Sequence, residues 1–398
     1  MAKTYDVMVI GAGAIGTSVA YHLQKSGYQV ALVEKGDLAN GTSSHCDAVA
    51  LICDKEPGID TQMGYSSIER YLELQEELSY DFEFHQRGCM YVCEAEEEMI
   101  AAKRYVDQQT SDGYEMEILT REECLEREPY LAKDIVGGIW SHPDCSMNPY
   151  KMCYAYVDAA QRLGMDLLKF HTVTGIKLDG GKVSAVETDK GTYLTKKVIN
   201  CGGVWAPEIG KLVGLDIPIQ PRKGIVMISE RSAPIIHQKI QEFGYMMSKF
   251  DDIKFERKVS ERVSRLNVAM VIEPTDASNF LLGGNRNFTG MDIRTEIEVM
   301  EAVAERGVRF FPIIKDINCI RTYCGVRPFV IDHLPIVSDV EEVPGFYIAA
   351  GHEGDGISLS AITGKMVAQM LKGEKTDFDI GKLKFSRFKN MDLTKFEA

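Results

Sequence analysis

Three glycines and one acid carry the first readable chemistry in this 398-residue chain. Gly11, Gly13 and Gly16 form a G-x-G-x-x-G turn, and Glu34 follows eighteen residues after the last of them. Gly11 permits a tight turn, Gly13 lets backbone approach a pyrophosphate, and Gly16 lets a helix pack closely on a strand. Amide N–H groups and the positive dipole end of that helix then face the phosphates. Glu34 can accept both hydroxyl hydrogen bonds of an adenosine ribose, and its charge disfavours a 2′-phosphate. The motif alone does not separate a nicotinamide from a flavin dinucleotide.

The elements needed to position these residues are present. Val7 to Ile10 is a short apolar run of the kind covered on both faces, and Gln29 to Val33 is a second. Between them, Thr17 to Ser26 has helical spacing, with Val19, Ala20 and Leu23 on one face. After Glu34 the regular alternation stops. A small polar loop follows, Gly41-Thr42-Ser43-Ser44-His45-Cys46-Asp47, rich in hydroxyl donors. Another strand and glycine pair come later at Lys197 to Ala206, with Gly202 and Trp205. Near the C-terminus, Gly345 to Ile357 reads as a strand, a turn through Gly351, His352, Gly354, Asp355 and Gly356, and the start of a helix.

Length and composition set the limits. A chain this long exceeds one typical core, so two domains are expected. Hydrophobic residues at 45% and charged residues at 26% suit a globular protein and argue against disorder. A net charge of −14 argues against nucleic acid and anionic membrane as partners. No apolar stretch is long enough for a membrane span and no signal peptide is evident, so a cytoplasmic protein is expected. The ten cysteines include no C-x-x-C pair, and Cys89/Cys93 and Cys319/Cys324 lack the flanking ligands of a zinc or iron–sulfur site. No metal is expected, and the thiols read as reduced, buried hydrophobes.

Taken together, GAGAIG with Glu34, NCGGVWAPEIGKLVG, GVRPFVIDHLPIV and GHEGDGISLSAITG resemble the D-amino acid oxidase family of FAD-dependent oxidoreductases. The resemblance runs from about Tyr5 to about Leu371. It implies FAD as cofactor and an α/β fold, a Rossmann-like FAD-binding domain interleaved with a mixed-sheet α+β substrate domain. The first would take 1–83, 144–220 and 319–380, the second 84–143 and 221–318, leaving 381–398 as a charged surface tail. Within the second, Arg222 to Ser229 resembles a strand crossing between domains, Val268 to Ile272 and Phe280 to Leu282 are expected strands, and Met291 to Phe311 an expected helix with Val299, Val303 and Val308 inward.

The resemblance also implies roles. Cofactor contacts are expected from Gly11, Gly13, Ala14, Ile15, Gly16, Glu34 and Lys35, from Thr42, Ser43, Ser44 and His45, from Val173, Gly202 and Trp205, and from Gly351, Gly354, Asp355, Gly356 and Ile357. Arg327, in an Arg-Pro segment, matches the arginine that holds the substrate carboxylate in D-amino acid and glycine oxidases; the alternative is a structural arginine paired with Asp332. Tyr245 is a candidate active-site hydroxyl or else a packed core aromatic. His352 lies beside the flavin's reactive edge or merely caps a helix. Glycine oxidase carries a second arginine in that turn where this chain has Gly354, so the turn looks closer to the β subunits of proline, hydroxyproline and opine dehydrogenases. A histidine near the place of His45 attaches FAD covalently in dimethylglycine and sarcosine dehydrogenases, although the flanking residues differ.

The implied activity is oxidation of an amino acid or secondary amine, with hydride passing from the carbon next to nitrogen to flavin N5. A 2-hydroxy acid or glycerol-3-phosphate-type substrate is the close alternative. A reading of another class is a flavin-carrying β subunit that passes electrons to partner subunits in a hetero-oligomer.

Overall fold

The computed structural model of the chain describes residues 3–247, 250 and 252–392. The first apolar run forms the strand Val7–Ile10, the centre of a six-stranded sheet. Its neighbours are Val30–Glu34 on one side and Val198–Asn200 on the other, both parallel to it. Asp166–Lys169 extends the first side in parallel and Phe346–Ala350 the second. Ile336–Asp339 closes the edge, antiparallel to Phe346–Ala350. Alternation decides what each face meets. Val7, Val9, Val30 and Leu32 pack on a helical layer that includes Ala14–Lys25, Ile59–Leu78, Pro149–Arg162 and Gly356–Lys372. Met8, Ile10, Ala31 and Val33 turn the other way, onto the three-stranded antiparallel meander Val173–Asp179, Lys182–Thr188 and Gly191–Leu194. Both faces are covered, which is why these strands are apolar throughout.

The second sheet has eight strands in the order Cys319–Phe329, Gln220–Ser229, Phe280–Asn285, Val268–Pro274, Lys239–Glu242, Cys89–Cys93, Gly137–Ser141 and Met116–Thr120. It is mixed: Lys239–Glu242 runs parallel to Cys89–Cys93, and the other pairs are antiparallel. One face packs Ile225, Ile240, Met270, Ile272 and Leu282 against Val299, Ala302, Val303 and Phe310 of the helix Ile297–Phe310. The opposite face looks toward the carboxyl ends of the six-stranded sheet.

Several expectations need correction. Cys319–Phe329, assigned by sequence to the cofactor unit, pairs along its length with Gln220–Ser229 and is an edge strand of the eight-stranded sheet. The helix begins at Ile297, not near Met291, because Asp292 accepts the backbone N–H of Arg294 (3.0 Å) in a local turn that competes with helix. Val308, half-buried, packs against the core with Val299 and Val303, as expected. The tail is no simple surface segment: Leu383 and Phe388 are buried, and Arg387 pairs with Asp332 through Nε (2.7 Å) and Nη2 (3.1 Å). Asp332 is therefore the partner of Arg387 and leaves Arg327 to other uses. Residues 393–398 lie outside the described residues. Of the cysteines, eight are buried as expected, while Cys46 is half-buried and Cys319 exposed.

Candidate active site

The strand Val7–Ile10 sends its chain to one neighbour through the first helix and receives the other neighbour from far along the sequence. At such a switch point the loops diverge and leave a crevice beyond the carboxyl ends of the strands. The crevice here opens into a cavity of about 930 Å³, roofed by the inner face of the eight-stranded sheet.

Backbone builds one end. Gly11 has φ of +103°, and a Cβ there would stand 2.6 Å from the Cys201 carbonyl oxygen. A Cβ on Gly16 would stand 1.8 Å from the Gly11 oxygen, so Gly16 lies behind the turn as a packing residue and not in the cavity wall. Gly13, Ala14 and Ile15 do line the cavity at the start of the helix Ala14–Lys25. Glu34 closes its strand and accepts the N–H of Ala12 on Oε2 (2.9 Å) and of Gly36 on Oε1 (2.7 Å). Each carboxylate oxygen keeps a lone pair for a further donor. Lys35 stands 3.7 Å over the Trp205 ring centre, and both line the cavity with Val173 and Gly202.

The hydroxyl-rich loop forms the floor between the ends. Ser43 Oγ accepts the N–H of Ala14 (2.9 Å), at the helix N-terminus where phosphate oxygens are expected. Thr42 lines the cavity but donates its hydroxyl to the Val326 carbonyl (2.7 Å), tying the loop to the roof. Ser44 is outside the wall and donates to the Gly41 carbonyl (3.0 Å). His45 lines the cavity, with Nδ1 2.9 Å from the Gly41 carbonyl and 2.8 Å from Ser44 Oγ.

Side chains build the other end. Gly351, Gly354, Asp355, Gly356 and Ile357 line the cavity where the helix Gly356–Lys372 begins. His352 lines it too but is buried, with Nε2 3.1 Å from Thr363 Oγ1. Burial, with a smaller push from the Lys55 ammonium, lowers its pKa to about 3, so the ring is neutral at physiological pH. Lys55 is wholly buried and bound to Asp355, with Asp54 3.6 Å away. Burial pulls its pKa down, but the Asp355 and Asp54 charges outweigh that and keep the ammonium. Across the roof, Lys239 holds Asp47 (2.5 Å) and Glu273 (3.1 Å).

Arg327 reaches the cavity from the edge strand and donates from Nη1 to the Asn285 carbonyl (3.0 Å). Its guanidinium lies over Gly224, where a Cβ would come within 2.6 Å of it. Tyr245 lines the cavity beneath the Arg286 guanidinium, 3.5 Å from ring centre to carbon, so it is no ordinary core aromatic. Sequence reasoning missed Arg222, Arg286 and Glu353. Arg222 was readable only as part of a strand; that it alternates with Gly224 and Val226 on the cavity face is the one local signal available. Among the described residues no group of His, Cys, Asp and Glu is arranged to hold a metal ion, and no helix is long and apolar enough to cross a membrane.

A glycine turn that admits no Cβ, helix amides facing a crevice, a ribose-height acid and a long roofed cavity fit a flavin dinucleotide, and with them the architecture is that of a flavoprotein oxidoreductase. The chain belongs to the DAO family, the FAD dependent oxidoreductases, whose model matches residues 6–370. Its cofactor is FAD. The chain is 27% identical to hydrogen cyanide synthase subunit HcnC of Pseudomonas aeruginosa, over 98% of this chain and 97% of that one. It is also 27% identical to the glycine oxidase of Bacillus subtilis, over 95% and 96%. The crystal structure of L-proline dehydrogenase from P. horikoshii superposes with a TM-score of 0.88 at 24% identity, covering 98% of this chain and 99% of that one, a likeness of fold.

Proposed function

We propose that this protein oxidises an amine that carries a carboxylate, an amino acid or secondary amine, at the carbon next to nitrogen. The observation that carries this reading is Arg327, a planar cation inside the roofed end of the cavity that, among the described residues, spends one donor on a carbonyl and has no carboxylate partner. A guanidinium fork presents paired donors matched to a carboxylate. Its place beside the turn Gly351–Ile357 sets a bound carboxylate near the end of the cavity that the long helix begins. Likeness to glycine oxidases supports the same substrate chemistry.

The remaining roles follow. The amides of Gly13 and Ile15 and the hydroxyl of Ser43, which the Ala14 N–H holds in place, would hold the pyrophosphate, and Glu34 the ribose. Lys35, Val173, Gly202 and Trp205 would surround the adenosine half, and Gly351, Gly354, Asp355, Gly356 and Ile357 the flavin half, with Thr42, Ser44 and His45 shaping the loop beneath. FAD, when bound, supplies a two-electron acceptor for the hydride. As the carbon gives up the hydride, the nitrogen lone pair of a neutral amine would form the C=N bond, and the iminium product would lose its N–H proton to solvent on leaving the site. Neutral His352 adds no charge to this end, and Tyr245 offers a hydroxyl under Arg286. The roof keeps water off the reacting carbon, which strengthens the Arg327 contact.

Anaerobic addition of glycine, sarcosine, proline, hydroxyproline, D-alanine and 2-hydroxy acids to the purified holoprotein tests the reading. Bleaching of the visible flavin band by at least one amine is expected. Bleaching by hydroxy acids alone sinks it.

A second reading concerns the acceptor. Likeness to HcnC, a synthase subunit, over nearly the full length favours a flavin-carrying subunit of a hetero-oligomer that hands electrons to partner subunits. Purification of the native complex tests this, and rapid turnover of the lone chain with oxygen sinks it.

A further inference from the structure

Three arginines share the roof, and they come from three adjacent strands. Arg327 lies on Cys319–Phe329, Arg222 on Gln220–Ser229, and Arg286 directly after Phe280–Asn285. Arg222 and Arg327 are direct cross-strand partners on one face, a placement in which like charges repel. Burial, and then the charges of Arg286 and Arg327, lower the Arg222 pKa to about 9. A wall with this much positive charge is costly unless anions offset it.

The protein supplies one. Glu353, held with φ of +47° at the start of the turn, pairs with Arg222 and with His333 Nδ1 (2.8 Å). The other acids of this end gather on two buried lysines and not on the arginines, Asp47 and Glu273 on Lys239, and Asp355 and Asp54 on Lys55. Among the described residues no carboxylate is paired with Arg327 or Arg286. The buried Nε of Arg286 has no hydrogen-bond partner among the described residues. Stacking on Tyr245 fixes this guanidinium in place but supplies no carboxylate for it.

We infer that the substrate carries two carboxylates, one bound by Arg327 and the second by Arg286. The class is an amino dicarboxylate: a secondary amine with a carboxylate on each arm, or an amino acid with an acidic side chain. The inference rests on the amine-oxidation reading above. Two unmatched guanidiniums next to a neutralised third then correspond to the two charges of such a molecule, and its amine lies between them.

The matched pair sarcosine and iminodiacetate differs by one carboxylate on the same secondary amine, and norvaline and glutamate differ likewise on a primary one. Rates of anaerobic flavin bleaching by the holoenzyme are compared within each pair, using both enantiomers of the primary amines. The dicarboxylate is expected to have the higher kcat/KM in at least one pair, by about 10–100-fold, the range for one charge-assisted contact. In Arg286→Met that ratio is expected to collapse toward one, mainly through KM, and Arg286→Lys to restore part of it. If monocarboxylates bleach the flavin as well as their partners in both pairs, the inference is wrong and the amine reading stands. If no amine of either kind bleaches it, both fall. Should Arg286→Met fail to fold, glutarate and butyrate are compared as competitive ligands of the unmodified holoenzyme, read by shifts of the flavin band. Tighter binding of glutarate is then expected, and equal affinities overturn the proposal.

Discussion

The two ends of the cavity are built by different means. At the Glu34 end the ligand-facing groups are backbone: amides at the start of a helix, glycines that admit no Cβ, and an acid whose two oxygens already hold Ala12 and Gly36. At the roof end they are side chains, three arginines carried by neighbouring strands, of which Arg222 alone is paired with a glutamate. The first end is rigid and its chemistry is generic to a dinucleotide. The second is a pattern of charges that, under the proposed function, would select the substrate. A substitution at the first end should therefore act on flavin retention, and one at the second on kcat/KM with flavin still bound.

The largest expected effect lies at the first end. In Gly16→Val, the new Cβ falls 1.8 Å from the Gly11 carbonyl, a backbone atom that cannot yield without breaking the turn. Protein recovered from this variant should be essentially free of flavin, read as visible absorbance per mole of chain. A yellow, fully loaded Gly16→Val would show that the turn does not set the pyrophosphate site.

Next is Arg327→Met. Loss of a bidentate charged anchor from a water-poor site is expected to lower kcat/KM for a carboxylated amine by about 100- to 1000-fold. Flavin content should stay at the unmodified level. Arg327→Lys should recover a minor part, since an ammonium does not reproduce the fork. Equal losses of flavin and activity would erase the distinction between the ends. Glu34→Gln returns to the first end with a smaller effect. The amide keeps one acceptor oxygen for either Ala12 or Gly36 and weakens the ribose contact, so FAD should bind about 10-fold less tightly. Equilibrium titration of the stripped protein with FAD checks it.

The same contrast explains what could be read from the chain. The Glu34 end was legible because strand, turn, helix, strand and acid fall within one short stretch and each residue type has a local reason. Cys201 and Gly202, which back the turn, belong to a recognisable strand and glycine pair even at long range. The roof was mostly illegible. Arg327 stood out through resemblance, but Arg222 and Arg286 gain meaning only from the antiparallel register that sets Arg222 opposite Arg327 and brings Asn285 beside it. Register across strands about a hundred residues apart leaves no local mark in the sequence. The same holds for Lys55, whose ion pair with Asp355 joins segments three hundred residues apart, and for Arg387, which takes Asp332 from the tail.

The smallest expected effect concerns His352, in the turn at the second end. It is buried, and its pKa of about 3 means that the fold refuses a proton that the unfolded chain accepts near pH 6.5. Stability from this group is whole above pH 6.5 and is lost as pH falls toward 3, by about 2 kcal/mol between pH 6.5 and 5. Other buried groups pull the opposite way. Burial raises the carboxyls of Asp144 and Glu98 to about 7 and Asp60 to about 6, so their contribution is greatest at low pH and fades as pH rises. The net profile of the protein therefore does not isolate His352, whereas the difference from His352→Gln does. Glutamine retains a polar partner for Thr363 and does not titrate. The holoprotein should unfold at higher denaturant than the variant at pH 7, and the gap should narrow at pH 5. Parallel curves would mean that His352 takes up its proton in the folded state, and this end of the cavity would then gain a charge in acid that the neutral ring denies it.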